Sequence, residues 1–499
     1  MPEWTKEQKR AIQEKGSNIL VAAAAGSGKT TVLVERIIQK IIKDKIDIDR
    51  LLIVTFTNAA ASEMRERILN ALYKKIDEDP NDAHLQRQIV LLNKASICTI
   101  DSFCLDVVKN NFYEIGISPN FRIADNTELE ILKQEAIEDL FEELYLNKDK
   151  NFTYLINTYA SYKGDENLKE IVLRIYDQIQ SNPFPEEWLF SKIEEFNVKD
   201  KLDKDFKESV WGKILIENYK NEITDEINNL KLIKNKISKY TELEKYVLVL
   251  LNDIESLEEV LNSLDSWDKA YEVANNFKFK TWPSDRKIVM ELKDIAKGRR
   301  DHIKEKFKKI TGKTFIYKSR EAYEDIYSMY NSLKSIGELI NKFSKIYIEK
   351  KNEKNIMEFG DIEHSALNIL MKKDEDGKRV PSDVALKLKD RFDEIAIDEY
   401  QDSNLVQEYI LTSISNGKNI FMVGDVKQSI YKFRQARPEL FLDKYGKYSI
   451  NTNEYGTKIQ LFKNFRSREN VLSFTNLVFQ DIMSKKMGEV QYIENEYLN

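Results

Sequence analysis

The residues best suited to phosphate chemistry stand where apolar runs end. Gly26-Ser27-Gly28-Lys29-Thr30 follows Ile19-Leu20-Val21 and four alanines, and precedes Val32, Leu33, Ile37, Ile38, Ile41 and Ile42 at helical spacing. A strand, a turn of small residues and a helix N-terminus in that order aim backbone N–H groups at an anion. The loop from Ala24 and Ala25 through Gly26, Ser27, Gly28, Lys29, Thr30 and Thr31 is therefore predicted to ring nucleotide phosphates. Lys29 would reach the β- and γ-oxygens and Thr30 a Mg²⁺ ion. Ala23 stands where the usual pattern of such loops has a glycine. Asp398 and Glu399 end another apolar run, Ile395-Ala396-Ile397, and are expected to supply a hard Mg²⁺ ligand and a base that activates water. Gln428, after Val423-Gly424-Asp425, is a neutral amide suited to sensing a γ-phosphate. The plainer readings are an ordinary strand–turn–helix corner, an acidic helix cap and a loop glutamine.

A sheet has to hold these groups together. Residues 1–105 read as α/β, with a short helix over 4–14 opened by Thr5 and Gln8, strands at 19–21, 51–56 and 96–100, and a helix over 59–75. Residues 106–355 are rich in Glu, Lys, Leu and Ile at three-to-four spacing, with no internal repeat and with breaks at Pro183, Pro185 and Pro283. Strands return at 394–397, 419–423 and 458–462. Asp398 must meet Thr30 at one ion, so the helical middle is read as an insertion within a single sheet domain. The expected fold class is α/β, a parallel sheet divided between 1–105 and 356–462 and interrupted by an all-helical insertion at 106–355, with 463–499 beginning a second domain.

Composition narrows the class. The chain has 499 residues, 42% hydrophobic and 32% charged, which suits a folded chain with ample core and not a disordered one. No apolar run reaches membrane-spanning length and the N-terminus lacks a signal-peptide core, so no membrane and a cytoplasmic location are expected. Cys98 and Cys104 are read as buried free thiols, and His84, His302 and His364 are too scattered for a metal motif. A net charge of −6 argues against wholesale coating of nucleic acid and leaves room for a local basic track.

Taken in order, Gln8, AAAAGSGKT, VTFTNAAASEMRERI, TIDSF, IDEYQDSN, VGDVKQSIYKFR and LFKNFRS resemble the superfamily 1 DNA helicases of the UvrD/PcrA/RecB group, whose parallel-sheet domain is RecA-like. GDVKQSIYKFR and MEFGDIEHSALNIL look like the AddA type, the helicase-nuclease subunit of an AddAB complex. The resemblance implies an ATP-dependent translocase with ATP and Mg²⁺ as cofactors. It gives Gln8 the adenine edge, Phe465 a ring stacked on adenine and Arg466 the part of an arginine finger. Phe56, Thr57, Asn58, Ser102, Phe103, Tyr431, Phe433 and Arg434 match positions that touch single-stranded DNA in relatives, although Phe56 and Phe103 read equally well as core residues. It further implies 3′-to-5′ movement, double-strand break repair, double-stranded DNA ends as substrate and an AddB-type partner.

Other readings stay open at this level: a stand-alone UvrD-like repair helicase without nuclease, and a non-catalytic DNA-binding or assembly module. The 499-residue chain stops before the later helicase motifs and the nuclease of such relatives, so weak nucleotide binding and no unwinding are expected of it. A second GKT string at 311–314 lacks a preceding strand and reads as a helix end with Gly312 at the stop. The stretch 297–318 carries nine Lys/Arg against two Asp/Glu, either a duplex-contacting patch or a solvated helix face.

Overall fold

The four inner strands are apolar along most of their length and buried on both faces, while the two edge strands alternate buried and half-buried residues. The computed structural model describes residues 4–160, 164–284, 291–485, 490–493 and 497–498. In it β1 (Ile19–Ala23), β2 (Leu51–Thr55), β3 (Ser96–Thr99), β4 (Glu394–Ile397), β5 (Ile420–Gly424) and β6 (Thr457–Leu461) form one parallel sheet in the order β6-β1-β5-β4-β2-β3. The period of two divides the strands between two cores. Ile19, Val21, Ile53 and Phe421 face α2 (Lys29–Lys43) and α3 (Asn58–Glu78). Leu20, Leu52, Ile395 and Met422 face α4 (Ile100–Asn110) and later helices.

The chain divides into two compact units, residues 1–188 with 340–499, which contain the sheet, and residues 189–339. The described part of the second unit consists of helices and turns. There α5 (Val210–Ile237), α6 (Glu244–Asn262) and α7 (Glu291–Thr314) enclose Tyr219, Tyr246, Trp267, Phe307 and Phe315. Helix α7 continues through Thr314, so Gly312 lies inside its last turn and does not stop it. Among the described residues no helix is long and apolar enough to cross a membrane.

Local chemistry sets the helix starts. α1 (Lys6–Gln13) opens with a capping box in which Thr5 and Gln8 satisfy each other's backbone N–H. Thr57 caps α3 and Thr99 caps α4. Asn404 and Gln407 form a second capping box at α9 (Leu405–Ser413), which follows α8 (Phe359–Leu370) in the chain. Helix α2 starts differently: the residue before it is Gly28, which has no side chain to offer, and the first-turn N–H groups are left for another partner.

Candidate functional site

The loop between β1 and α2 turns on Gly26 at φ +70° and Gly28 at φ +84°, a left-handed region that other residues enter at a cost. Three donors hold its carbonyl edge. Gln8 Nε2 donates to Ser27 O at 3.0 Å, Asn464 Nδ2 donates to Ala25 O at 2.6 Å, and Phe465 N donates to Gly26 O at 2.9 Å. With its carbonyls held from behind, the loop directs N–H groups and the α2 dipole toward one anion site.

Strand β4 delivers the carboxylates. Asp398 N donates to Val54 O at 2.9 Å and prolongs the ladder with β2, whereas Glu399 takes a left-handed turn at φ +53°. That turn brings Glu399 Oε2 within 3.1 Å of Lys29 Nζ, and Gln428 Oε1 accepts from the same ammonium at 3.5 Å. Gln428 Nε2 in turn donates to Asp425 Oδ2 at 2.8 Å. Burial, reinforced by the Glu399 charge and opposed by Lys29, pushes the Asp398 carboxyl up to about 6. Asp402 is likewise pushed up to about 6, by burial and then by Glu399.

The residues fit a Mg²⁺-bound nucleotide phosphate. Ser27 Oγ and Ser429 Oγ are buried beside the cradle with no hydrogen-bond partner among the described residues. Thr30 offers a hydroxyl and Asp398 one carboxylate, a sparse set that suits Mg²⁺, which keeps waters and takes its other ligands from substrate phosphates. Ala24 is buried, Ala25 is half-buried and Thr31 is exposed at the loop's outer side. Arg466 is exposed, and its N–H donates to Asn464 Oδ1 at 2.8 Å. Phe465, 55% exposed, lies beneath Lys463 at 5.5 Å.

A second cluster lies where β2 and β5 end. The Phe56 and Tyr431 rings are 4.6 Å apart, Tyr431 and Phe433 5.9 Å apart, and the Arg434 guanidinium sits 5.5 Å and 5.8 Å over the latter two. Phe433 is 77% exposed, and with Phe56 and Tyr431 it makes a contiguous aromatic patch and not a single exposed ring. Thr57 and Asn58 are exposed beside it, Thr57 Oγ1 accepting from Ala60 N at 3.1 Å. Ser102 is half-buried with its hydroxyl 2.9 Å from Thr99 Oγ1. Phe103 is not brought to this cluster; it is buried edge-on to Phe392. A cavity of about 200 Å³ opens between Phe56, Tyr431, Asp101 and Asp402.

Two contributors carried no assignment from sequence. Gln401, buried, donates through Nε2 to Glu399 at 2.9 Å and Asp402 at 3.2 Å, and its Oε1 accepts from Asp425 N at 2.9 Å, so one amide ties β4 to β5. Asn464 holds the phosphate loop at Ala25. Both sit inside recognisable strings, IDEYQD and KNFRS, and that position is the only signal they give in the sequence.

Residues 4–449 match the model of the UvrD/REP helicase N-terminal domain, and the chain belongs to that family. It is similar to the AddA-type ATP-dependent helicase/nuclease subunit of Clostridioides difficile (strain 630), 47% identical over 511 residues that take in 100% of this chain and 40% of that protein. The protein of the same name from Acetivibrio thermocellus is 44% identical over 515 residues, 99% of this chain and 40% of its own length. That from Thermoanaerobacter sp. (strain X514) is 46% identical over 511 residues, 99% and 41%. The chain thus spans about two fifths of the length of these curated relatives.

Proposed function

We propose that the chain is the ATP-binding and DNA-gripping part of an ATP-driven DNA helicase of the AddA type, acting with an AddB-type partner in double-strand break repair and moving 3′ to 5′. What supports the reading is one short path. Gln428 meets Lys29 at the phosphate loop, and three residues later Tyr431 stands in the exposed aromatic cluster.

In this reading Lys29 and the α2 N-terminus bind the phosphates, and Thr30 with Asp398 would hold Mg²⁺, whose chemistry there would be to offset phosphate charge. Glu399 leaves Lys29 to orient and deprotonate the attacking water, since Lys29 then has phosphate to pair with. Gln428 faces the γ-phosphate. Gln8 reads the adenine edge, Phe465 stacks on the base, and Arg466 supplies a guanidinium to developing charge. Phe56, Tyr431 and Phe433 stack single-strand bases, with Arg434, Thr57, Asn58 and Ser102 toward the backbone, while Phe103 stays in the core against Phe392. The stretch expected as an insertion, 106–355, is narrowed to the helical unit 189–339, because 106–188 and 340–355 group with the sheet; double-stranded DNA ends are taken as the substrate.

The test is ATP hydrolysis by the full-length gene product with and without single-stranded DNA. Lys29→Ala is expected to lower hydrolysis more than about 100-fold. Tyr431→Ala is expected to raise the DNA concentration needed for half-maximal stimulation about tenfold. Unchanged hydrolysis in Lys29→Ala would leave the chain as a non-catalytic DNA-binding module.

A further inference from the structure

Arg36 of α2 is 2% exposed, and each of its three guanidinium nitrogens donates a hydrogen bond. Nε and Nη2 donate to Glu394 Oε1 and Oε2 at 2.9 and 2.6 Å, a two-pronged pair to the first residue of β4. Nη1 donates to Ala11 O at 2.8 Å and Glu14 O at 2.9 Å, with Ile12 O at 3.4 Å. The Phe421 ring of β5 lies 4.2 Å from the guanidinium carbon, and Lys40 Nζ adds a second cation 2.9 Å from Glu394 Oε2.

The carbonyls of Ala11, Ile12 and Glu14 belong to the C-terminal end of α1, where a helix leaves its last C=O groups unpaired and carries its negative dipole end. Arg36 caps that end from another helix. Eight residues are too few for a helix to persist alone, so the position of α1 depends on what it touches. One end carries Gln8, bonded to Ser27 of the phosphate loop; the other end is held by Arg36. A buried ion pair is weak evidence for stability, because apolar residues of similar volume often serve as well. What a planar fork adds is direction.

We propose that Arg36 is the positioning residue for base selection: through its grip on the end of α1 and on Glu394 it holds Gln8 at the angle needed to tell adenine from guanine. This rests on the reading of Gln8 as the adenine reader. The Gln8 amide has two N–H donors and an oxygen with two lone pairs; Ser27 O takes one donor and Thr5 N one lone pair, and the remaining donor and acceptor match adenine's N7 and N6, whereas guanine presents acceptors at both O6 and N7. Such discrimination requires placement within about 0.5 Å, whereas the phosphates are gripped by α2 itself.

The experiment is competition of ADP, GDP and Mg²⁺-tripolyphosphate against a fluorescent ADP analogue bound to the chain. Arg36→Met strands Glu394 with Lys40 alone, so Arg36→Met/Glu394→Gln is measured beside it, each with a circular dichroism melt. Arg36→Lys is included because it keeps the charge and loses the fork. The wild type is expected to prefer ADP to GDP at least about tenfold, and all three variants to bring that ratio to about one to two. Tripolyphosphate affinity should stay within about twofold of wild type. Gln8→Ala should reproduce the loss, and Gln8→Ala/Arg36→Met should add nothing to it, the signature of two residues acting as a unit. A folded double variant at positions 36 and 394 that keeps the wild-type ratio, or effects of Gln8 and Arg36 that add, overturns the role of Arg36. A wild type with no preference and a silent Gln8→Ala overturns the adenine reading beneath it.

Discussion

Gly26 and Asn464 are so close that a methyl group on Gly26 would lie 2.7 Å from the Asn464 side-chain nitrogen, while that nitrogen holds Ala25 O at 2.6 Å. The same methyl would meet Arg466 Cβ at 2.9 Å, and Gly26 stands at φ +70°. Glycine at this point therefore lets the 464–466 segment seat on the phosphate loop.

Gly26→Ala should destabilise the chain by about 1–3 kcal/mol and weaken nucleotide binding more than about tenfold. Gly298→Ala is the control: a Cβ there meets nothing within 4 Å in mid-α7, and the change should be neutral or stabilising by up to about 1 kcal/mol. Thermal melts and fluorescent-nucleotide titration compare the two; equal effects would remove the steric account.

Tyr431→Ala and Phe103→Ala should part company. The first removes a half-buried ring of the aromatic cluster and should cost about 1–3 kcal/mol in single-strand affinity and less stability than the second. The second empties a core position and should cost about 3–5 kcal/mol of stability, with affinity per folded molecule within about threefold of wild type. Oligothymidine titration and urea unfolding on each variant provide both numbers.

Glu363 gives the pH dependence. Its carboxylate accepts from Gln407 Nε2 at 2.8 Å and Asn404 Nδ2 at 3.3 Å and shares a hydrogen bond with Asp101; burial pushes it up to about 7. The native state then keeps a proton that the unfolded chain has released, so stability falls as pH rises from about 4.5 to about 7 and levels off above. Glu363→Gln should remove the part of the slope between about pH 6 and pH 7 and lessen the part below, which Asp398 and Asp402 share; its contribution is at most on the order of 3 kcal/mol, and the variant should gain on the wild type at alkaline pH. Urea midpoints between about pH 5 and pH 8 read it; a slope between about pH 6 and pH 7 that survives the substitution assigns it elsewhere.

The basic stretch 297–318 contains members of different kinds. Arg300 is buried, its Nε and Nη2 donating to Asp253 at 2.6 and 3.2 Å beneath Phe279 and Trp282, and Lys306 pairs with Glu226. Arg300→Met should cost about 3–5 kcal/mol by stranding Asp253. Lys308→Ala/Lys309→Ala, both exposed, should leave stability within about 0.5 kcal/mol and lower the salt dependence of duplex binding if this face meets DNA. A salt slope untouched by the pair leaves it a solvated face.

Legibility from sequence followed burial. All six strands lie within two residues of where the sequence places them; the inner four are apolar over most of their length because both faces are covered, and the edge strands β3 and β6 show through their short alternation. The small pairings of Arg122–Ile123 with Ile356–Met357, and of Met371–Lys373 with Arg379–Pro381, left no readable period because two or three residues are too short for one. Lys29, Glu399 and Gln428 were each legible as ends of strings, and their convergence was inferable from shared chemistry. Gln401, Asn464 and the Arg36–Glu394 pair were not. Their meaning lies in partners up to 439 residues away, and one sequence records residue types without recording contacts.

The strand order has a consequence in time. β1 lies between β5 and β6, so that Asn18 Oδ1 accepts from Ile420 N across 402 residues of chain. At a synthesis rate of about 5–20 residues per second, both edges of β1 leave the ribosome roughly 20–80 s before either neighbour exists. The phosphate loop that begins at its end therefore cannot take shape early in synthesis. During that interval an apolar strand with two open edges is in solution, a substrate for chaperones and for mispairing with other nascent chains. Slowing elongation before residue 420 should lower soluble yield more than the same delay after residue 461, the last of β6.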